Sequence, residues 1–273
     1  MSMYEVTQLG KQIDPDNDVG ASILNPIARA EARRSLSMND VPFSGTDFWT
    51  AYELAWLDRD GMPKLAIADI SVACESKNII ESKSMKLYLN SFYNKKLENG
   101  HAVAGKIRSE LSKATGGAVN VKLFTLDKFR REYPIKTQKG YCLDDRRVEP
   151  INHGPTPQIL RIKGRRTISE ILFSHLLRTK CPVTSQPDWA SVYVMYRGRS
   201  IDRDTLFRYI ISFREHSDFH EQCVERIFCD ILNYCSPTEL TVWARFLRRG
   251  GLDINPYRTN SGKYPPRIRE TRQ

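Results

Sequence analysis

Twice along this chain, two segments rich in β-branched and aromatic residues are joined by turn residues and followed by two helical segments and a further strand. In the first copy Asp47 to Leu57 and Lys64 to Cys74 read as strands, and Asp58-Arg59-Asp60-Gly61-Met62-Pro63 between them is a hairpin signal. Met85, Tyr88, Leu89 and Phe92 recur at helical spacing, which predicts a helix over 84–94; a second helix follows over 101–113 and a strand over 119–126. In the second copy strands over 167–178 and 189–197 precede helices over 204–213 and 219–232 and a strand over 239–247. The connection 127–157 carries turn residues and charge and reads as a linker. What repeats is architecture, an α+β layout of antiparallel sheets with helices on one face. Neither half's sheet closes on itself, so its edges should pair between halves and between subunits, giving an oligomeric barrel. The expected division is an N-terminal extension over 1–34, modules over 35–126 and 158–258 about the linker, and a poorly ordered basic tail over 259–273.

With 273 residues, 40% of them hydrophobic, each half is long enough for its own core. The longest apolar runs, such as Ala66-Ile67-Ala68, are far too short to cross a bilayer, and Met1 to Val6 has neither the basic flank nor the apolar stretch of a signal peptide. No membrane association and a cytoplasmic location are expected. Six cysteines, at 74, 142, 181, 223, 229 and 235, lack the spacing of a disulfide scaffold. His220 and Cys223 share a helical face, but no second ligand pair accompanies them, so no metal is expected. Lys and Arg exceed Asp and Glu by 42 to 32, a formal +10 that favours anionic partners.

Between the strands of the second hairpin lies Cys181-Pro182-Val183-Thr184-Ser185-Gln186-Pro187-Asp188-Trp189. Each proline fixes its own φ and pushes the preceding residue toward extended geometry, so this loop is stiff. A stiff loop can hold a nucleophilic thiol beside a proton-donating carboxylate, the pair that thiol chemistry on an electrophilic carbon needs. Alternatively Cys181 is a small buried hydrophobe and Asp188 caps a turn. Glu81-Ser82-Lys83-Ser84 is either a helix cap or a carboxylate for the N–H groups of a heterocycle, with Ser and Lys facing phosphate. Phe219-His220-Glu221 either starts an amphipathic helix or stacks on a ring, moves protons and pairs with a guanine-like edge. Arg248-Arg249-Gly250-Gly251 is either a basic strand end or a phosphate cradle. No Gly-x-Gly-x-x-Gly occurs, so a nicotinamide cofactor would need a non-Rossmann site.

Taken together, Glu81 to Phe92, Cys181 to Trp189, His220 to Ile227, Arg248 to Arg258 and Pro42 to Trp49 resemble the NADPH-dependent 7-cyano-7-deazaguanine reductases, the nitrile reductases of queuosine biosynthesis. The two-copy layout resembles their long, bimodular branch, which implies tandem tunnelling-fold (T-fold) repeats and a homo-oligomer, expected to be a homodimer. The resemblance implies that Cys181 attacks the nitrile carbon of 7-cyano-7-deazaguanine, that Asp188 protonates the nitrogen, and that two NADPH complete the reduction to 7-aminomethyl-7-deazaguanine with His220 as a proton source. Glu81 and Glu221, with Ile80 and Phe219 beside them, would grip the base together with His220; Ser82, Lys83, Arg249, Gly250 and, as an addition, Arg248 would contact the cofactor. A protective disulfide between Cys181 and Cys223 is a further implication, against the reading of Cys223 as a buried helix residue. One rival is zinc-dependent hydrolysis of GTP or a pterin on the same fold. Another is nucleic-acid binding, which the charge suggests; the basic residues form no continuous aromatic-laced motif, so direct binding is not expected.

Overall fold

The structure, a computed structural model, describes residues 20–36, 41–149 and 154–273. These fall into two compact units: 20–32, 46–134 and 248–254 form the first, and the remainder forms the second.

In chain order the elements of the first part are β1 (Pro26–Ala28), α1 (Arg29–Arg33), β2 (Ser44–Leu57), β3 (Pro63–Ala73), β4 (Asn78–Ile80), α2 (Ser82–Asn90), α3 (Gly100–Thr115), β5 (Val119–Phe124) and α4 (Leu126–Glu132). The expected hairpin forms, with Thr46 opposite Ala73 and Leu57 opposite Pro63, and β5 adds to the far edge of β3, both antiparallel. Successive residues of a strand point to opposite faces, so Ala66, Ala68, Ile70 and Val72 share one face of β3. There they pack with Met85 and Tyr88 of α2, Phe92 in the turn just after it, and Val103, Ile107 and Leu111 of α3, the helical spacings visible in the sequence. Asn99 caps α3 through Ala102 N at 3.0 Å, and Gly116 ends it in the left-handed region at φ 64°. α2 gives way earlier than expected to tighter turns, in which Phe92 N bonds to Leu89 O at 3.3 Å and Tyr93 N to Asn90 O at 3.1 Å.

The stretch read as a linker opens with helix α4. Thr125 caps it, and its buried Phe129 packs with Ile67 and Phe124. Ile67 lies on the other face of β3 from the α2–α3 core, so helices are not confined to one side of this sheet. Residues 20–28, in the expected extension, pack on the first unit: Ile27 pairs with Ile79, and Ile23 and Leu24 enter the core.

The second part holds β6 (Tyr141–Cys142), β7 (Ile162–Lys180), β8 (Pro187–Ile201), α5 (Arg203–Ile211), α6 (His220–Cys235), β9 (Glu239–Phe246) and β10 (Leu252–Thr259). β7 and β8 form the second hairpin, β9 pairs with β8, and β10 pairs with β9, all antiparallel; β6 runs parallel to β7. α5 packs on β7 and α6 on β9. The order strand, strand, helix, helix, strand is therefore present twice, in a mixed α+β fold dominated by antiparallel pairing.

Beyond it β10 is an unforeseen strand, and the tail expected to be poorly ordered is packed. Glu270 and Gln273 are buried: Ser191 Oγ and Tyr193 Oη donate to the Glu270 carboxylate, while Gln273 Nε2 donates to Asn255 Oδ1 at 2.8 Å. Charge made this segment look solvated. The fold supplies partners for that charge, which removes the reason for disorder. No helix among the described residues is long and apolar enough to cross a membrane.

Candidate active site

The second hairpin's end is built by its register. Thr179 faces Asp188 and Lys180 faces Pro187, and one step further Cys181 N donates to Gln186 O at 2.9 Å. Ser185 N returns a bond to Cys181 O at 2.9 Å, with Ser185 at φ 56° closing the turn. Residues directly opposite share a face, and so do residues two apart on one strand, so Thr179, Cys181 and Asp188 project from the same side. Cys181 is half-buried and Asp188 is buried.

The outer edge of β7 carries the chain into α6. Lys180 N donates to His216 O and Asp218 N to Lys180 O, which delivers Phe219 and the helix start next to the hairpin end. His220 Nε2 then lies 3.4 Å from Asp188 Oδ2. The imidazole stacks on Phe246, with centroids 3.7 Å apart and planes 7° from parallel. Glu221 is buried in the first helical turn, where the backbone amides and helix dipole favour a carboxylate. Phe219, also buried, donates its amide to Asp218 Oδ1 and to Gln222 Oε1.

Four buried side-chain polar atoms of these elements have no hydrogen-bond partner among the described residues: Thr179 Oγ1, His220 Nδ1, Gln222 Nε2 and Arg226 Nε, the last facing Asp218 Oδ2 at 3.7 Å. A buried unpaired polar atom costs roughly 1–3 kcal/mol. Such atoms are what a polar ligand would satisfy. Cys223, one turn into α6, is fully buried; burial, reinforced by Asp218, pushes its thiol well above the ordinary value. Cys181 and Cys223 are both free thiols here.

In the first unit Glu81 is the N-cap of α2. Its two carboxylate oxygens accept from Lys83 N and Ser84 N, each at 2.8 Å, with the side chain buried. The capping reading is thus realised, but an ionised carboxylate has about four acceptor sites, so capping leaves capacity for a further N–H donor. Ile80 ends β4, buried against Pro26 in register, and Ser82 and Lys83 follow in the first turn of the helix.

Arg248 to Gly251 connect β9 to β10. Arg249 N and Leu252 O bond at 2.8 Å, and Gly250 and Gly251 take φ of 54° and 79°. A Cβ on Gly250 would lie 2.7 Å from Lys86 Nζ, and one on Gly251 2.4 Å from the Glu53 carboxyl carbon. The turn therefore lies beside α2, and Arg248 covers the Tyr52 ring at 4.5 Å. Lys86 places a further cation against this turn, paired with Glu53 at 3.9 Å. Its sequence signal was its place three residues after Lys83, on the same helical face.

Residues 16–123 match the family described as nitrile reductase, 7-cyano-7-deazaguanine-reductase N-term, and residues 187–264 match QueF-like protein. The chain is 52% identical over 268 residues to the NADPH-dependent 7-cyano-7-deazaguanine reductase of Desulfotalea psychrophila, covering 97% of this chain and 96% of that protein. It belongs to the 7-cyano-7-deazaguanine reductase family. The reductases so named from Bordetella avium and Saccharophagus degradans are 48% and 46% identical over 94% and 97% of this chain, and 94% and 98% of their own lengths. A solved archaeosine synthase QueF-Like in the apo form overlaps 38% of this chain, and all of its own, at 17% identity and TM-score 0.32, from which nothing about this fold follows.

Within a 7-cyano-7-deazaguanine reductase the placement of the expected residues is uneven. Asp188 and His220 meet directly, and Cys181 lies at the end of the hairpin that carries Asp188. Ile80, Glu81, Ser82 and Lys83 lie at the start of α2, beside the turn of Arg248, Arg249 and Gly250. Sequence reasoning missed Phe246, Thr179 and Gln222, whose placement here is set by tertiary structure alone. Among the described residues Cys142, Asp144 and His175 form a group of metal-ligating type, but it contains none of these site residues. Its Asp144 already accepts Ser174 Oγ at 2.6 Å and His175 N at 3.0 Å.

Proposed function

We propose that this chain reduces the nitrile of 7-cyano-7-deazaguanine to the aminomethyl group of 7-aminomethyl-7-deazaguanine, consuming two NADPH, in queuosine biosynthesis. One observation carries the reading: a half-buried thiol and a buried carboxylate project from the same face of one rigid hairpin, with the carboxylate in contact with an imidazole. A nitrile is a poor electrophile, and covalent capture converts it into a more polarised C=N bond. Cys181 sulfur bonds to the nitrile carbon while Asp188 delivers a proton to the nitrogen, giving a thioimide. NADPH, when bound, supplies a hydride to carbon in each of the two reductions. After the first, the carbon–sulfur bond breaks, the Cys181 thiolate departs and an imine remains. His220 supplies a proton to nitrogen as that imine becomes the amine. Each hydride is matched by one proton, so the overall change is nitrile plus two NADPH plus two protons to amine plus two NADP⁺.

Glu81 and Glu221 accept from the N–H groups of the base, with Ile80, Phe219 and His220 packing about it. Ser82, Lys83, Arg248, Arg249 and Gly250 hold the cofactor's phosphates. The left-handed backbone at Gly250 and the Lys86 ammonium against it support this reading, with Glu53, which pairs with Lys86 at 3.9 Å, as the carboxylate a phosphate would replace. The twofold element order supports tandem tunnelling-fold modules over 35–126 and 158–258, joined by 127–157 and assembling as a homodimeric barrel in the cytoplasm without direct nucleic-acid binding. The test is nicotinamide oxidation with 7-cyano-7-deazaguanine. Two NADPH consumed per amine, and a steep loss in Asp188→Asn, are expected; unchanged turnover in that variant would reduce Asp188 to a turn residue.

A further inference from the structure

His220 lacks the second anchor of a working imidazole: where one ring nitrogen is turned toward the reacting groups, the other ordinarily donates to a carbonyl or carboxylate, which fixes the ring and its tautomer. Here Nε2 faces Asp188 and the buried Nδ1 has no partner among the described residues. What holds the ring is its face. Phe246 lies 3.7 Å below it and within 7° of parallel, closer than the 4.5–7 Å usual for aromatic pairs.

Phe246 is itself fixed from several sides. It is fully buried at the end of β9 and paired with Ala190, two residues along β8 from Asp188, so ring and carboxylate share a face of the sheet. Leu247 N donates to Trp189 O at 2.9 Å, continuing the pairing past it, and Gln273 Nε2 donates to Phe246 O at 3.2 Å. The packed tail thus helps to hold the strand end on which His220 rests.

We propose that Phe246 is the positioning residue of His220, its ring face doing the work of the missing Nδ1 hydrogen bond. This rests on His220 being a proton source. Phe246→Leu keeps the apolar bulk but removes the flat face, while Phe246→Tyr keeps the face. The expected result in Phe246→Leu is a fall in kcat of about 10-fold or more, of the order that small misplacements of a catalytic group cause, with KM for the cofactor little changed. Formation of the Cys181 adduct, followed by intact mass, should proceed normally, because Asp188 serves that step. Phe246→Tyr should restore kcat.

A wild-type kcat in a folded Phe246→Leu, or loss of kcat together with weakened cofactor binding and loss of adduct formation, would overturn the proposal. Proton NMR of the wild-type protein tests it even if Phe246→Leu fails to fold: ring current from Phe246 should shift the His220 ring protons upfield, and ordinary shifts would refute the stack. Full activity in His220→Gln would instead overturn the proton-source reading, and is separable because the NMR signature does not depend on turnover.

Discussion

Replacing Glu225 by Gln should destabilise the second unit severely while leaving its chemistry in place. Glu225 sits on α6, on the helix that presents His220 and Glu221, and is buried with only 2% of its side chain exposed. Its Oε1 accepts from Arg33 Nη2 at 2.7 Å and from Arg258 Nη2 and Nε at 2.8 and 3.1 Å, and its Oε2 accepts from Arg33 Nε at 2.9 Å. Arg258 is fully buried, and both guanidinium groups lie about 5.5 Å from the Phe43 ring. A glutamine matches the shape but removes the only negative charge in this group of three, and its NH₂ would oppose a guanidinium N–H. Removing one partner of a buried ion pair costs about 3–5 kcal/mol, because the other charge stays buried and uncompensated. For a unit of this size each kcal/mol lowers Tm by about 2–4 °C, so a drop on the order of 10 °C is expected. Urea unfolding followed by circular dichroism measures the loss, and a double-mutant cycle with Arg258→Met assigns it to the pair. A loss below about 1 kcal/mol would place this network with exposed ion pairs and refute the argument.

Alkylation at pH 8 should distinguish the six thiols. Cys181 should react first and Cys142 more slowly, since burial pushes the Cys142 thiol up. Cys229 and Cys235, pushed up by burial to about 12 and about 11, should stay unlabelled with Cys74 and Cys223; labelling of Cys223 as fast as Cys181 would contradict the burial. Gly250→Ala should weaken NADPH binding several-fold in calorimetry with base binding unchanged, because φ 54° costs a non-glycine residue about 1–2 kcal/mol and its Cβ would press on Lys86. Equal affinity for NADPH in that variant would remove the turn from the cofactor site.

The two hairpins and the four main helices were legible because each buries one face, which writes a period of two or of about 3.6 into the sequence. α4 was not, since a helix of seven residues with one buried anchor, Phe129, carries no readable period. β10 failed for the opposite reason. Every residue from Leu252 to Thr259 is buried, so there is no alternation, and its polar members read as loop. Their partners are remote in sequence: Asp253 takes Tyr52 Oη at 2.7 Å, Asn255 takes Gln273 and Arg258 takes Glu225. The same holds for the site. The prolines mark the Cys181 loop as rigid, but the contact of His220 with Asp188, the stack on Phe246 and the unpaired Thr179 hydroxyl arise only when α6 docks beside the hairpin.

The most direct test of the covalent mechanism is intact-mass analysis of the protein mixed with 7-cyano-7-deazaguanine in the absence of NADPH. The mechanism predicts a gain of one nucleobase mass, mapped to Cys181, lost in Cys181→Ala and retained in Cys223→Ala. An unmodified wild-type protein that nevertheless turns over the nitrile with NADPH, or an adduct on another cysteine, would contradict it.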